Sequence, residues 1–310
     1  MSEYTIVKYQ QSDKVSWDHF VKNSKNGTFL FYRDFMEYHA DRFEDASLIV
    51  YKKDTIIALF PANRIKNEIY SHQGLTYGGL LLKKSIGGKK IDVIVAHIIS
   101  FYKNRSVSKL TVKAIPLMYH QVPSHEFNFF LKNRGAITTS SLNLAIDYSK
   151  PLRIHKSKIK HFKKGKNKGL LIKETEDISD FWNEVLVPRL LNKHNVSPVH
   201  SLLEIQQLHT LFPKNIKQFN IYLNDQILAG ITVFISGKVV KSQYGATTSK
   251  GEEYNALDYL FITLIYQFKK ENYHYFDMGT VTDTNFGLLK QKEELGCEIY
   301  TQDFYKFTIS

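Results

Sequence analysis

Cysteine is almost absent from this chain: Cys297 is the only one in 310 residues. A single thiol excludes an intrachain disulfide and leaves a thiolate metal cluster without enough ligands. The opening residues, MSEYTIVKYQQSDK, lack the apolar core of a secretion signal. The longest apolar run, IDVIVAHIISFY at 91–102, is too short to cross a bilayer, so no transmembrane segment is expected. His194 and His200 are six apart, as are His155 and His161, and neither spacing is that of a His-x-x-x-His zinc pair. There are no heptads and no short-period array. These absences lead to the expectation of a cytoplasmic protein without a metal centre or a tightly bound cofactor.

What is present is a composition for burial. Hydrophobic residues make up 43% of the chain and aromatic residues 14%, a share that argues against disorder. The length suits two domains of ordinary size. Net charge is +12, and much of the excess is local: residues 150–173 carry ten Lys or Arg and no Asp or Glu. Such a block attracts phosphate-bearing partners, whether nucleic acid, nucleotide or an anionic membrane surface, unless it is simply a solvated linker helix.

The chain also writes one pattern twice. In the second half QFNIYLNDQILAGITVFISG (218–237) reads as a hairpin and VVKSQYGATT (239–248) as a strand. A polar loop, SKGEEYN, is expected next. Leu257, Leu260, Phe261, Leu264, Ile265 and Phe268 then form one apolar helical stripe. YHYFDM is a strand, NFGLLKQKEEL a helix stopped by Gly296, and EIYTQDFYKFTI a final strand. The first half repeats this order: a hairpin over 47–63, a strand over 68–82, a helix over 91–103, a strand over 108–115, a helix ending at Gly135, and a last strand. The order predicts a mixed α/β sheet with a crossover helix in each half.

That order resembles the GNAT acyltransferase fold, and two such units in tandem resemble the Fem-type transferases. The resemblance rests on SPVHSLLEIQQLHTLFP (197–213), ILAGITVF (227–234), SQYGATTSKGEEYNALDYLF (242–261) and YFDMG…GLLKQKEELG (275–296), with FLFYRDFMEYHADRFED (29–45) and YSHQGLTYGGLLL (70–82) in the first half. It implies an α/β (mixed α+β) protein of two tandem units, 1–149 and 150–310, the second beginning with a basic linker helix at 150–168. It further implies transfer of an acyl group to an amine. The donor is aminoacyl-tRNA in Fem-type enzymes, whose acceptor is a peptidoglycan precursor, and acyl-CoA in ordinary GNAT enzymes. Where a CoA-binding unit carries a glycine-bearing loop, this sequence has SKGEEYNA, whose Glu252 and Glu253 would repel a pyrophosphate. LKKSIGGKK (82–90) is its first-half counterpart. No cofactor-binding residues are assigned.

N-acyl transfer needs a proton acceptor for the amine, donors for the tetrahedral oxyanion, and a proton source for the leaving group. Tyr244, on the strand beside the expected opening of the sheet, is a candidate proton donor, or a packed strand tyrosine. Asp277 ends the next strand, where an acid serves chemistry or caps a loop. His200 precedes Ser201-x-x-Glu204, a capping box, and is a base or a structural group at the helix start. The substrate-binding candidates are Arg33, His72, Tyr77, Asn285, Lys292 and Glu293. Arg33 suits bidentate anion binding or pairs with Asp34 or Asp41. His72 and Tyr77 flank Gly78-Gly79, which marks a close backbone approach or a bulge. Asn285 is a helix cap or a substrate contact. Lys292 and Glu293 bind an acceptor or form an exposed salt-bridged face.

The counterpart of 275–296 in the first half lacks both Asp-x-Gly and Lys-Glu, which puts the chemistry in the second half. The expected activity is transfer of an acyl or aminoacyl group onto an amine of a cell-envelope sugar or peptide precursor, on a phosphate-bearing or lipid-linked substrate. The basic segment is expected to contact a phosphate of the donor or acceptor. Two alternatives stand beside it: an aminoacyl-tRNA-dependent peptidoglycan-precursor transferase, with tRNA as partner, and a non-catalytic protein of the same fold holding nucleic acid or an anionic surface.

Overall fold

The computed structural model describes residues 3–71, 73–166, 168–281 and 285–309, the side chain of His194 excepted. The chain divides into two compact units, Met1–Ser141 with Thr301–Ser310 and Leu142–Tyr300. The division falls eight residues before the expected boundary after residue 149, because residues 142–147 hydrogen-bond into the second unit.

The first unit runs β1 (Thr5–Lys8), α1 (Lys14–Asn23), α2 (Arg33–Met36), β2 (Glu44–Asp45), β3 (Leu48–Lys52), β4 (Thr55–Phe60), β5 (Asn63–Ile65), β6 (Glu68–Ser71), β7 (Leu81–Leu82), α3 (Lys89–Lys103), β8 (Lys109–Lys113), α4 (Glu126–Asn133) and the start of β9 (Ile137–Asp147). The β3–β4 hairpin turns at Lys53, with φ at +52°, as its sequence predicts. The expected strand over 68–82 is broken in two. β6 pairs in parallel with β8, whereas β7 pairs with β4 in a different sheet. Gly74 and Gly79, with φ of +80° and +115°, let the chain turn from one sheet to the other. The aromatic segment 29–45 is a string of short turns around the four-residue α2.

The second unit runs α5 (Lys156–Lys166), β10 (Leu171–Thr175), a wide helical turn over 181–186 continuing into α6 (Val187–His194), α7 (Leu202–Leu211), β11 (Ile216–Leu223), β12 (Gln226–Ser236), β13 (Val239–Thr247), α8 (Ser249–Tyr254), α9 (Ala256–Lys270), β14 (Tyr275–Val281), α10 (Phe286–Glu294) and the first residues of β15 (Glu298–Thr308). Its strands lie in the order β10-β11-β12-β13-β14-β9. Only β13–β14 is parallel; the other pairings are antiparallel. The stripe predicted on α9 buries Leu260, Leu264, Ile265 and Phe268 against Phe219, Ile231 and Phe276. The expected polar loop at 249–255 is the short helix α8, capped by the Thr248 hydroxyl accepting from the Gly251 amide at 3.0 Å.

The basic segment is not a free linker. α5 docks within the second unit: the Lys158 ammonium is buried and donates to both Asp258 oxygens, at 3.0 and 2.7 Å. Phe162 stacks on Tyr259 with centroids 5.2 Å apart. A Cβ at Gly165 would come within 2.7 Å of the Tyr259 ring, so the close approach of α5 and α9 requires glycine there. Among the described residues, no helix is long and apolar enough to cross a membrane.

From Thr301 onward β15 belongs to the first unit. Phe304 to Thr308 pair with Lys113 to Lys109, and Tyr305 and Ile309 join Val112 and Leu131 in that unit's core. Deleting residues 301–310 is therefore expected to remove amide-exchange protection from β8 while β11 and β12 stay protected. Equal loss in both units, or none, would contradict this assignment.

Candidate active site

The site begins where two parallel strands part. β13 and β14 are paired at only three positions, Val239 with Tyr275, Val240 with Phe276 and Lys241 with Asp277. Past the third pair both strands are irregular. In β13 the register against β12 jumps from Thr232–Tyr244 to Val233–Ser242, leaving Gln243 as an extra residue. In β14 the register against β9 shifts between Asp277 and Thr280, and Gly279 takes φ of +78°. Bulges bend and twist a strand, and here they carry the two apart. A cavity of about 220 Å³ lies at the opening. Ser242, Gln243 and Gly245 of β13 and Met278 of β14 line it, with Leu257 and Phe261 of α9 and Leu288, Gln291, Lys292 and Leu295 from α10 and its end.

Two charges are fixed where the strands part. Asp277 is 2% exposed; one carboxylate oxygen accepts the Gly279 amide at 2.7 Å and the other faces the Lys241 ammonium at 3.5 Å. The carboxylate thus holds the bulge, a role akin to the loop cap open to it from sequence. Lys292 is also buried, and donates to the carbonyls of Gly279 and Thr280 at 3.1 and 3.4 Å. Burial, and then the neighbouring Lys241 charge, push its pKa down to about 8, against the opposing pull of Cys297 and Asp277. Cys297 itself, its thiol 3.3 Å from the Met278 sulfur, is pushed up by burial and is no nucleophile at neutral pH.

Tyr244 and His200 come together, but away from this cavity. The Tyr244 hydroxyl lies 2.5 Å from His200 Nδ1, and Trp182 meets the tyrosine ring edge-on at 4.9 Å. Burial raises the Tyr244 hydroxyl to about 12. The residues on either side of it, Gln243 and Gly245, line the cavity, while Tyr244 packs under Trp182. Ser201 and Glu204 form the expected capping box at the start of α7, which fixes the chain beside His200.

The remaining candidates separate clearly. Asn285 caps α10 by accepting the Leu288 amide at 3.1 Å, and Glu293 is exposed. Arg33 is 3% exposed and committed elsewhere than expected: it donates to Glu37 at 2.9 Å and to Asp45, and lies 3.7 Å over the Tyr9 ring. Two carboxylates neutralise it, which leaves it poorly suited to a substrate anion. Tyr77 is 1% exposed and packs between Phe31 and Tyr119 in the interior of the first unit. His72 lies outside the described residues. Glu252, expected to repel a pyrophosphate, is tied to Arg189 and to Lys193 at 3.5 Å. Gly251 serves packing, because a Cβ there would meet the Leu228 carbonyl at 2.3 Å. Lys241 was missed from sequence: its place opposite Asp277 depends on a parallel register set across a crossover helix.

The first unit has a far smaller opening at Gly78, Gly79 and Ile115, a cavity of about 20 Å³. The Phe127 ring borders it, 3.5 Å from where a Gly79 Cβ would lie. Among the described residues, no cluster of three His, Cys, Asp or Glu side chains is placed to hold a metal ion.

No family model matches the sequence, and a search of curated proteins finds no match. Solved structures do match. A crystal structure of FemX superposes with a TM-score of 0.70 over 97% of this chain and 96% of that one, at 10% identity. L-PGS from Bacillus licheniformis gives 0.63 over 96% and 91%, at 9% identity. A tandem GNAT protein from the clavulanic acid biosynthesis pathway gives 0.58 over 99% of each chain, at 11% identity. The chain has the tandem GNAT fold.

Gly279→Ala tests the geometry of the opening. An L side chain at φ of +78° is strained, and its Cβ would stand 3.2 Å from the Lys241 ammonium. The expected loss is about 1–2 kcal/mol in urea unfolding. An unchanged midpoint would count against the bulge.

Proposed function

We propose that this protein is an acyltransferase, moving an acyl or aminoacyl group onto an amine of a cell-envelope sugar or peptide precursor. The observation that carries this reading is the cavity at the parted strands with Lys292 buried in its wall. The likeness to FemX, to L-PGS and to a tandem GNAT protein supports the transferase class through the fold.

In this reading the acyl carbonyl enters between Ser242–Gly245 and Met278. A lysine ammonium has three N–H groups, and two of Lys292's go to the Gly279 and Thr280 carbonyls. The third is assigned to the oxyanion that forms when the acceptor amine attacks. In a buried site such a donor gains strength from the low dielectric, and removing one typically costs ~10²–10³-fold in rate. Asp277 and Lys241 position the strand ends rather than touch the reacting atoms. Tyr244 and His200 support β13 from the other side, so Tyr244→Phe is expected to cost far less than loss of Lys292. The donor is acyl-CoA or aminoacyl-tRNA.

The test is transfer from labelled acetyl-CoA and aminoacyl-tRNA to amine-bearing envelope precursors. Lys292→Gln should lower kcat by about 10²–10³-fold with the fold retained. Because the protonated form is the active one, kcat should fall as pH rises through about 8. That limb should vanish in Lys292→Gln. A limb that survives the substitution, or no transfer from either donor, would overturn the reading.

A further inference from the structure

The oxyanion reading leaves the basic segment unused, and its docking gives it a definite shape. Lys158 is turned inward to Asp258, with Glu294 at 3.8 Å, so the acidic groups facing α5 are already engaged. Lys156, Lys160, Lys163 and Lys164 are exposed and, with Ile154 and Ile159, line an open groove of about 640 Å³. Their spacing puts the four lysines on one face of the helix. The charge is therefore held as a fixed stripe on a docked helix.

We propose that this face of α5 is a docking surface for a membrane rich in anionic lipid. Three features favour lipid over nucleic acid. The cations of the groove are all lysines, point charges suited to a diffuse headgroup layer; the planar forks that grip single phosphates are arginines, and Arg153 is the only one between 150 and 173. Single-stranded nucleic-acid sites interleave such charges with free aromatic faces, but Phe162 is stacked against Tyr259. Finally, Ile154 and Ile159 set apolar side chains among the lysines, as in a surface that beds into the headgroup layer. Such a surface would hold the enzyme against its membrane without a spanning helix.

The experiment is co-sedimentation of the full chain with phosphatidylcholine vesicles, with and without a third of the lipid as phosphatidylglycerol. Binding is expected only to the anionic vesicles and should weaken steeply with salt. K156E/K160E/K163E/K164E, all at exposed positions, should reduce it by about a hundredfold or more. Lys292→Gln should bind vesicles normally, which keeps this outcome separate from that of the acyltransferase reading. No binding at low salt, binding untouched by the quadruple substitution, or quadruple-sensitive binding of RNA without binding of vesicles would each overturn the proposal.

Discussion

The last rung between β13 and β14 governs the second unit. Lys241 and Asp277 are directly opposite each other there, and both are largely buried. A buried carboxylate is tolerated only when its charge and lone pairs are met. Lys241 meets the charge and the Gly279 amide meets one oxygen. The same contact to Gly279 holds the bulge that turns β14 away from β13. One pair of residues thus ends the parallel ladder and starts the opening.

The opening has a consequence for the backbone. Strands that part leave carbonyls without ladder partners, and buried carbonyls need donors. Lys292 supplies them to Gly279 and Thr280 from α10. Its ammonium is drawn into a dry place by the needs of the fold, and the same dryness lowers its pKa into a range useful for chemistry. In the first unit the small opening at Gly78 and Gly79 is bordered by the Phe127 ring and not by a lysine. The first cavity, about 20 Å³, has space for little more than a water, whereas the second, about 220 Å³, leaves room for a ligand group.

Much of this was legible in the sequence where the determinants are local. The α9 stripe, both hairpins and the helix stops at Gly135 and Gly296, which take φ of +91° and +92°, follow from periodicity and turn chemistry. The tandem repeat was legible for the same reason. What failed depended on distant partners. The segment 68–82 has one β-rich pattern, yet its two ends answer to different sheets. SKGEEYN is polar enough for a loop, but Thr248 caps it into a helix packed on Leu228. Tyr77 and Arg33 sit in chemically suggestive stretches, and only three-dimensional packing shows that the first is interior and the second already neutralised. Asp277 and Lys292 were visible as candidates, whereas Lys241, which anchors Asp277, was not.

Charge was the feature most easily misread from composition. The sequence supplies cations in excess, and a count treats them alike. Desolvation does not. Arg33 and Lys158 are buried with carboxylates beside them, so their charge is consumed inside the protein. Lys241 is divided between holding Asp277 and depressing Lys292. Lys292 is buried with backbone carbonyls as its hydrogen-bond acceptors, and among the described residues no carboxylate pairs with it at close range. The lysines lining the α5 groove stay in water, where each contributes little alone and a row of them contributes by summation. The cations therefore fall into three physical kinds: neutralised, desolvated and solvated. Structure uses the first, chemistry draws on the second, and long-range attraction needs the third.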